Sequence, residues 1–163
     1  MHKKGHIGAA LLATAPVVFV VTAAGFSTLA LAGAGVVVAG SMLPDLDMRL
    51  PFVTHRGPTH TVWFAGGVGV VYGVVGAVLG SGTGALATLA LGAYGVLLGV
   101  VTVGAHLLAD ALTPMGIQPF DPVDGRDYSL SVTRAANPIA NYALLALGSV
   151  AVAGAFLAGG MIT

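Results

Sequence analysis

Hydrophobic and polar positions are segregated along the chain to an unusual degree. Three runs contain no Asp, Glu, Lys or Arg: Ile7–Leu43, Thr61–Ala105 and Ala135–Thr163. A bilayer span takes about 20 apolar residues as a helix, so the first two runs are each long enough for two spans and the third for one. The pattern predicts helix 1 from His6 to about Ala24, a turn at Gly25-Phe26-Ser27, and helix 2 from Thr28 to Leu43, stopped by Pro44. A polar loop follows. Helix 3 is predicted from about Thr59 to Gly80, Ser81–Gly84 as a turn, and helix 4 from Ala85 to about Leu112, ahead of Pro114. Helix 5 begins near Pro138, a favoured first-turn residue, and runs to the C-terminus. The fold class expected is all-α: one domain over residues 1–163, a polytopic membrane bundle of about five helices. Alternating barrel-type strands are absent from the pattern.

Five spans place the polar segments consistently. The N-terminal residues, Pro44–His60, the His106/Asp110 end of helix 4 and the loop Thr113–Asn137 all fall on one side. The other side receives Gly25–Ser27, Ser81–Gly84 and the end of helix 5. All six Lys and Arg residues therefore share a side, which the positive-inside rule makes cytoplasmic. Lys3, Lys4 and the A-x-A sequence Ala30-Leu31-Ala32 resemble parts of a cleaved leader, but the uncharged stretch outruns a leader's apolar region and reads as spans. Glycines four apart (Gly69/Gly73, Gly76/Gly80, Gly95/Gly99) read as close helix packing inside the bundle.

Composition agrees: 56% of residues are apolar, 7% are charged, and the mean hydropathy is +0.96. This describes a multi-pass cell-membrane protein whose first partner is the lipid bilayer. A net charge of zero without a basic stripe gives no ground for nucleic-acid binding. With no Cys and no Glu in the chain, disulfides are excluded and any metal must be held by His and Asp.

Those residues are concentrated. Pro44–His60 holds two Asp, two Arg and two His in 17 positions. A polar island in an apolar chain is costly unless its groups bind something. Asp45 and Asp47 follow the Pro that ends helix 2, where two carboxylates can turn to one centre. His55 and His60 flank Arg56-Gly-Pro-Thr. His106 and Asp110, at i and i+4, share one helix face, and His6 lies at the same depth. His6, Asp45, Asp47, His55, His60, His106 and Asp110 are thus the candidate ligands, an N/O set suited to Zn²⁺, or to Mn²⁺ or Fe²⁺ where carboxylates dominate. Seven candidates exceed one tetrahedral shell, so a two- or three-metal site is an option, and such sites hydrolyse phosphoesters. The candidate catalytic groups are Asp45 and Asp47, to orient water or bridge metals, and Arg56, to offset phosphate charge or to hold an Asp. Each position also has a structural alternative. His6 can be an interface anchor, Asp45 and Asp47 can cap a loop, and His106/Asp110 can brace the helix end. Asp121, Asp124, Arg126 and Asp127 read as a solvated loop, and Trp63 and Tyr128 as interface anchors.

The combination Gly5-His6, Leu43-Pro44-Asp45-Leu46-Asp47, His55-Arg56-Gly57-Pro58-Thr59-His60 and His106-x3-Asp110-x2-Thr113-Pro114 resembles the YdjM-type membrane-bound metal-dependent hydrolases, a group linked to the LexA damage response. The resemblance covers the motifs and the span pattern across most of the chain. It implies an activity class but no substrate. The motif order is also similar to that of the zinc-dependent phospholipase C and P1 nuclease group. That likeness implies His6, Asp45 or Asp47, His60, His106 and Asp110 as zinc ligands. The chain departs from that group in having no His after His106 and no Glu. The leading expectation is therefore a membrane metal-dependent hydrolase of a phosphoester, a lipid among the options, at the cytoplasmic interface. The alternatives are a transporter or metal-handling protein using the same His/Asp cluster, and a non-catalytic scaffold in which metal only fixes the loops.

Overall fold

In a computed structural model, which describes residues 1–162, the chain forms five long helices: α1 (Lys3–Ala23), α2 (Ser27–Gly40), α3 (Val62–Gly80), α4 (Ala85–Ala111) and α5 (Pro138–Gly160). All five, α2 together with the turns that follow it to Arg49, are long and apolar enough to cross a membrane. No strand forms among the described residues. Two isolated bridges, Ile117 with Tyr128 and Phe120 with Asp124, pin the loop between α4 and α5.

The helices alternate in direction as the hydropathy pattern predicts. α1 and α5 lie parallel. Gly8 packs against Leu144, Gly148 against Gly8 and Leu11, and Gly159 against Phe19 and Thr22. α3 and α4 form an antiparallel hairpin in which Gly69 meets Val96 and Val100 and Gly80 meets Ala87 and Thr88. α2 closes the bundle against α1 and α4 through Ala10, Val37, Leu98 and Ala105. The glycines read as internal packing are therefore internal. In lipid, where apolar side chains gain little by leaving their solvent, such backbone approach is a main source of helix association.

Helix boundaries differ from the hydropathy reading where local chemistry intervenes. α2 stops at Gly40 instead of Leu43, and the chain enters a 3₁₀ turn over Pro44–Arg49. α3 starts at Val62 because Pro58–His60 forms a second 3₁₀ turn, after which the Thr61 hydroxyl accepts the Phe64 N–H at 3.2 Å as a cap. Asn137 caps α5 by accepting from Ile139 and Ala140, with Pro138 in the first turn. Gly25 and Gly84, at φ +87° and +117°, make the two turns on the far side, where a side chain would be strained.

The loop after α4 folds back on that helix. Leu130 N–H donates to Ala111 O (2.7 Å) and Val132 N–H to Leu112 O (2.9 Å). These bonds satisfy carbonyls that the helix end leaves free.

Candidate metal centre

The starts of α1, α3 and α5 and the ends of α2 and α4 meet on one side. Four side chains converge there: Asp45, His60, His106 and Asp110. His60, His106 and Asp110 are almost wholly buried, and Asp45 is the most accessible, its side chain 11% exposed. Asp45 Oδ1 lies 3.5 Å from His60 Nε2 and 3.4 Å from His106 Nε2. Asp110 Oδ2 is 3.6 Å from each of the same nitrogens, which are 3.2 Å apart. Zinc bonds of about 2.0–2.2 Å to N and O in a tetrahedron imply ligand separations of about 3.3–3.6 Å, from the geometry of that solid. Five of the quartet's six pairwise separations, at 3.2–3.6 Å, are near those values, and all four ligand atoms lie within 4.8 Å of one another, so the group can hold one such ion.

The outer ring nitrogens explain which ring atoms face inward. His106 Nδ1 donates to Ser41 O at 2.8 Å, where the chain leaves α2. His60 Nδ1 faces Asp47 Oδ2 at 3.4 Å and the Thr59 hydroxyl at 3.1 Å. With the outer nitrogens so engaged, the two Nε2 atoms face each other and the two carboxylates, a position that either a proton or a metal cation can fill. A cation between them and the two carboxylates satisfies all four groups. Burial disfavours a proton on His60, but hydrogen bonds to Asp110 and Asp45 outweigh burial and hold its pKa above the usual histidine value. The pocket attracts positive charge.

Asp47 stands on the other side of His60. Its carboxylate accepts the Thr59 hydroxyl (2.7 Å) and the Arg56 N–H (3.2 Å), and His55 Nδ1 lies 3.0 Å away. These contacts hold Arg56 at φ +63°, a left-handed conformation that few residues other than Gly adopt without support. Asp47, His55 and His60 also form a smaller group with metal-ligand spacing, but its His55 is exposed and it shares His60 with the quartet. On this geometry Asp47 orients His60 and the loop. Asp47→Asn is expected to weaken zinc affinity about 10–100-fold, as loss of an outer carboxylate partner does, while leaving the number of ions bound at saturation unchanged. A zinc titration of purified protein against a competing chelator checks this.

His6 is buried, its ring stacked on His106 with centroids 3.8 Å apart. Its Nε2 lies 3.5 Å from Asp110 Oδ1 and 4.0 Å from Asp45 Oδ2, and it bonds to Met1 O at 3.0 Å, while Nδ1 is buried without a partner among the described residues. The Met1 ammonium also contacts Asp110. His6 therefore borders the quartet without joining it. Arg56 bridges Asp110 Oδ1 (2.9 Å), Gly116 O (2.6 Å) and the Thr113 hydroxyl (3.4 Å). Asp124 pairs with exposed Arg126 and Asp127 with Gln118, away from the quartet, and His2 is exposed. Trp63 is largely exposed and Tyr128 packs on Phe120.

Asn141 is a positioning residue that pattern reading passed over. Buried in the first turns of α5, it accepts the His2 and Gly5 N–H groups (3.1 Å each) and donates to Ala135 O and Asn137 O. It thereby satisfies the start of α1, one turn from His6. The available signal was an amide inside a charge-free helix. Asn141→Leu is expected to destabilise the protein by about 1–3 kcal/mol, because His2 N–H and Ala135 O lose this partner, whereas Gly5 N–H and Asn137 O keep others. A drop in thermal midpoint in detergent measures this.

Fold and site together define a polytopic helical membrane protein with a buried His/Asp cluster at one face. The sequence profile of the YdjM inner membrane protein family matches residues 1–162. The chain belongs to that family. No curated protein and no solved structure matches it significantly.

Proposed function

We propose that this protein is an integral-membrane, metal-dependent phosphoester hydrolase whose site faces the cytoplasm. The observation that carries the reading is the quartet Asp45, His60, His106 and Asp110, with inward Nε2 atoms 3.2 Å apart and carboxylate oxygens at 3.4–3.6 Å. A bound Mn²⁺, or a Zn²⁺ taking water as a fifth ligand beside the four residues, would supply Lewis acidity there, acidifying that water and offsetting charge on a phosphoryl oxygen. Asp45, the most accessible of the four, borders a cavity of about 570 Å³ and is placed to orient water and accept its proton. Arg56, held by Asp110 and Gly116 O, borders the same cavity and adds positive charge beside a bound phosphate. The resemblance of the motif order to that of the zinc-dependent phospholipase C and P1 nuclease group supports phosphoesters over other esters. The side follows from the six Lys and Arg residues lying with the site.

A transport role is less well supported. Below the quartet the interior polar side chains are threonines and tyrosines. The Thr14 and Thr102 hydroxyls bond to carbonyls of their own helices at 2.6 and 2.7 Å and Tyr94 to Leu29 O at 3.1 Å. Thr22, whose buried hydroxyl has no partner among the described residues, lies at the far end of α1. Ion passage calls for polar groups free to bind cargo at mid-depth.

The test is hydrolysis of p-nitrophenyl phosphate and its diester by detergent-purified protein. Activity should disappear on chelation and return with Zn²⁺ or Mn²⁺, and Arg56→Ala should lower it at least about 100-fold, as loss of a preorganised charge partner does. Zinc uptake into proteoliposomes, abolished by His60→Ala and unaccompanied by hydrolysis, would reverse the assignment.

A further inference from the structure

The cavity beside the quartet has a composition that the metal reading does not use. Its walls carry Lys3, Lys4 and Arg56 together with Met42, Met48 and Tyr142. The carboxylates that border it, Asp45 and Asp110, already face the histidines of the quartet. The free charge of the cavity is therefore basic. Lys4 is held at the wall by a hydrogen bond to the Tyr142 hydroxyl and lies 4.0 Å over that ring. Arg56 spends its terminal nitrogens on Asp110, Gly116 and Thr113, while its Nε is buried with no partner among the described residues. A buried unpaired donor is costly unless a ligand accepts from it.

The segment leaving the cavity wall is apolar and uncovered. Met48, in the first 3₁₀ turn, and Leu50 and Phe52, just after it, are 63%, 52% and 98% exposed. At the end of a membrane helix such side chains sit in the headgroup and acyl boundary. A basic pocket opening beside an apolar lip matches a molecule with an anionic head and a hydrocarbon body. A quaternary ammonium head fits poorly, because Tyr142 is the aromatic residue of the wall and Lys4 already covers it.

We propose that this cavity binds an anionic lipid phosphate, with the phosphate between Arg56, Lys3 and Lys4 and the glycerol and acyl part along Met42, Met48 and the Leu50–Phe52 lip. This rests on the hydrolase reading only in identifying the lipid as its substrate.

The experiment is calorimetric titration of the metal-loaded, detergent-purified protein with short-chain phosphatidic acid, short-chain phosphatidylcholine and glycerol 3-phosphate, with metal content measured on the same samples. Phosphatidic acid is expected to bind at least about tenfold more tightly than either of the others. The double variant Lys3→Gln/Lys4→Gln should lose about tenfold or more in that affinity, and Lys3→Arg/Lys4→Arg should retain it, with metal content the same in all three proteins. Equal affinity for glycerol 3-phosphate would overturn the lipid assignment in favour of a free phosphoester. Equal affinity for phosphatidylcholine, or no loss in the Gln variant, would overturn the basic pocket. Wild-type protein without metal would defeat the hydrolase reading instead, and lipid affinity would still report on the cavity.

Discussion

Asp110→Asn protein is expected to purify folded and without metal. The carboxylate lies within 3.6 Å of His60 and His106, 3.5 Å of His6 and 2.9 Å of Arg56. Asn keeps the volume but offers a neutral carbonyl in place of an anionic oxygen, which is a poor ligand for Zn²⁺. Metal affinity should fall by more than the about 10–100-fold expected for Asp47→Asn, and hydrolysis should fall with it. Asp110→Ala is expected to be worse in a different way. It also removes the acceptor oxygen that Asn would still offer the nearly buried Arg56 guanidinium, whose charge both variants leave without a carboxylate, at a further cost of about 1–3 kcal/mol. Metal content and thermal midpoint, measured on both variants, separate the two effects. A loss of stability in Asp110→Asn as large as in Asp110→Ala would mean that bracing, and not metal binding, is the main task of this residue.

Gly99→Ala is expected to break the α3/α4 hairpin, whereas Gly104→Ala, five residues along the same helix, should be harmless. A Cβ at Gly99 would stand 2.6 Å from the Gly69 Cα and 2.7 Å from Val68 O, so the two backbones must separate. The cost should reach about 3 kcal/mol, the upper end for overpacking a core, because backbone atoms cannot swing aside as side chains do. A Cβ at Gly104 would meet none of the described residues within 4 Å beyond its own turn of helix, and the better helix propensity of Ala makes the change neutral or mildly stabilising. Thermal melts in detergent, with size-exclusion profiles, compare the pair. Equal midpoints would mean that the hairpin is looser than its contacts imply.

The topology was legible because its causes are local. Charge-free runs set the spans, and Gly25 and Ser81–Gly84 interrupt them. The end-on clustering of every His and Asp then follows from counting crossings. His106 and Asp110 were legible as a pair from the helical repeat alone, and their convergence with Asp45 and His60 followed from the shared side. The division of labour between Asp45 and Asp47 was not legible. Two positions apart on an irregular segment, both were expected to face one centre. The 3₁₀ turn over Pro44–Arg49 instead sends Asp45 to the quartet and Asp47 behind His60, and that turn depends on bonds to Thr59 and Arg56 in a different loop. His6 was placed at the right depth, but whether it enters the quartet depends on its contacts with Met1 and on stacking, which spacing does not encode. Asn141 escaped notice because its partners, His2 and Gly5, lie at the opposite end of the chain.

The central claim, that Asp45, His60, His106 and Asp110 hold a metal ion, is tested most directly by elemental analysis of detergent-purified protein beside an Asp45→Asn/His106→Ala double variant. The account predicts about one equivalent or more of zinc or manganese per wild-type chain, as one tetrahedral shell requires, and none in the variant. A wild-type protein that stays free of metal after reconstitution, or a variant that retains it in full, would contradict the account.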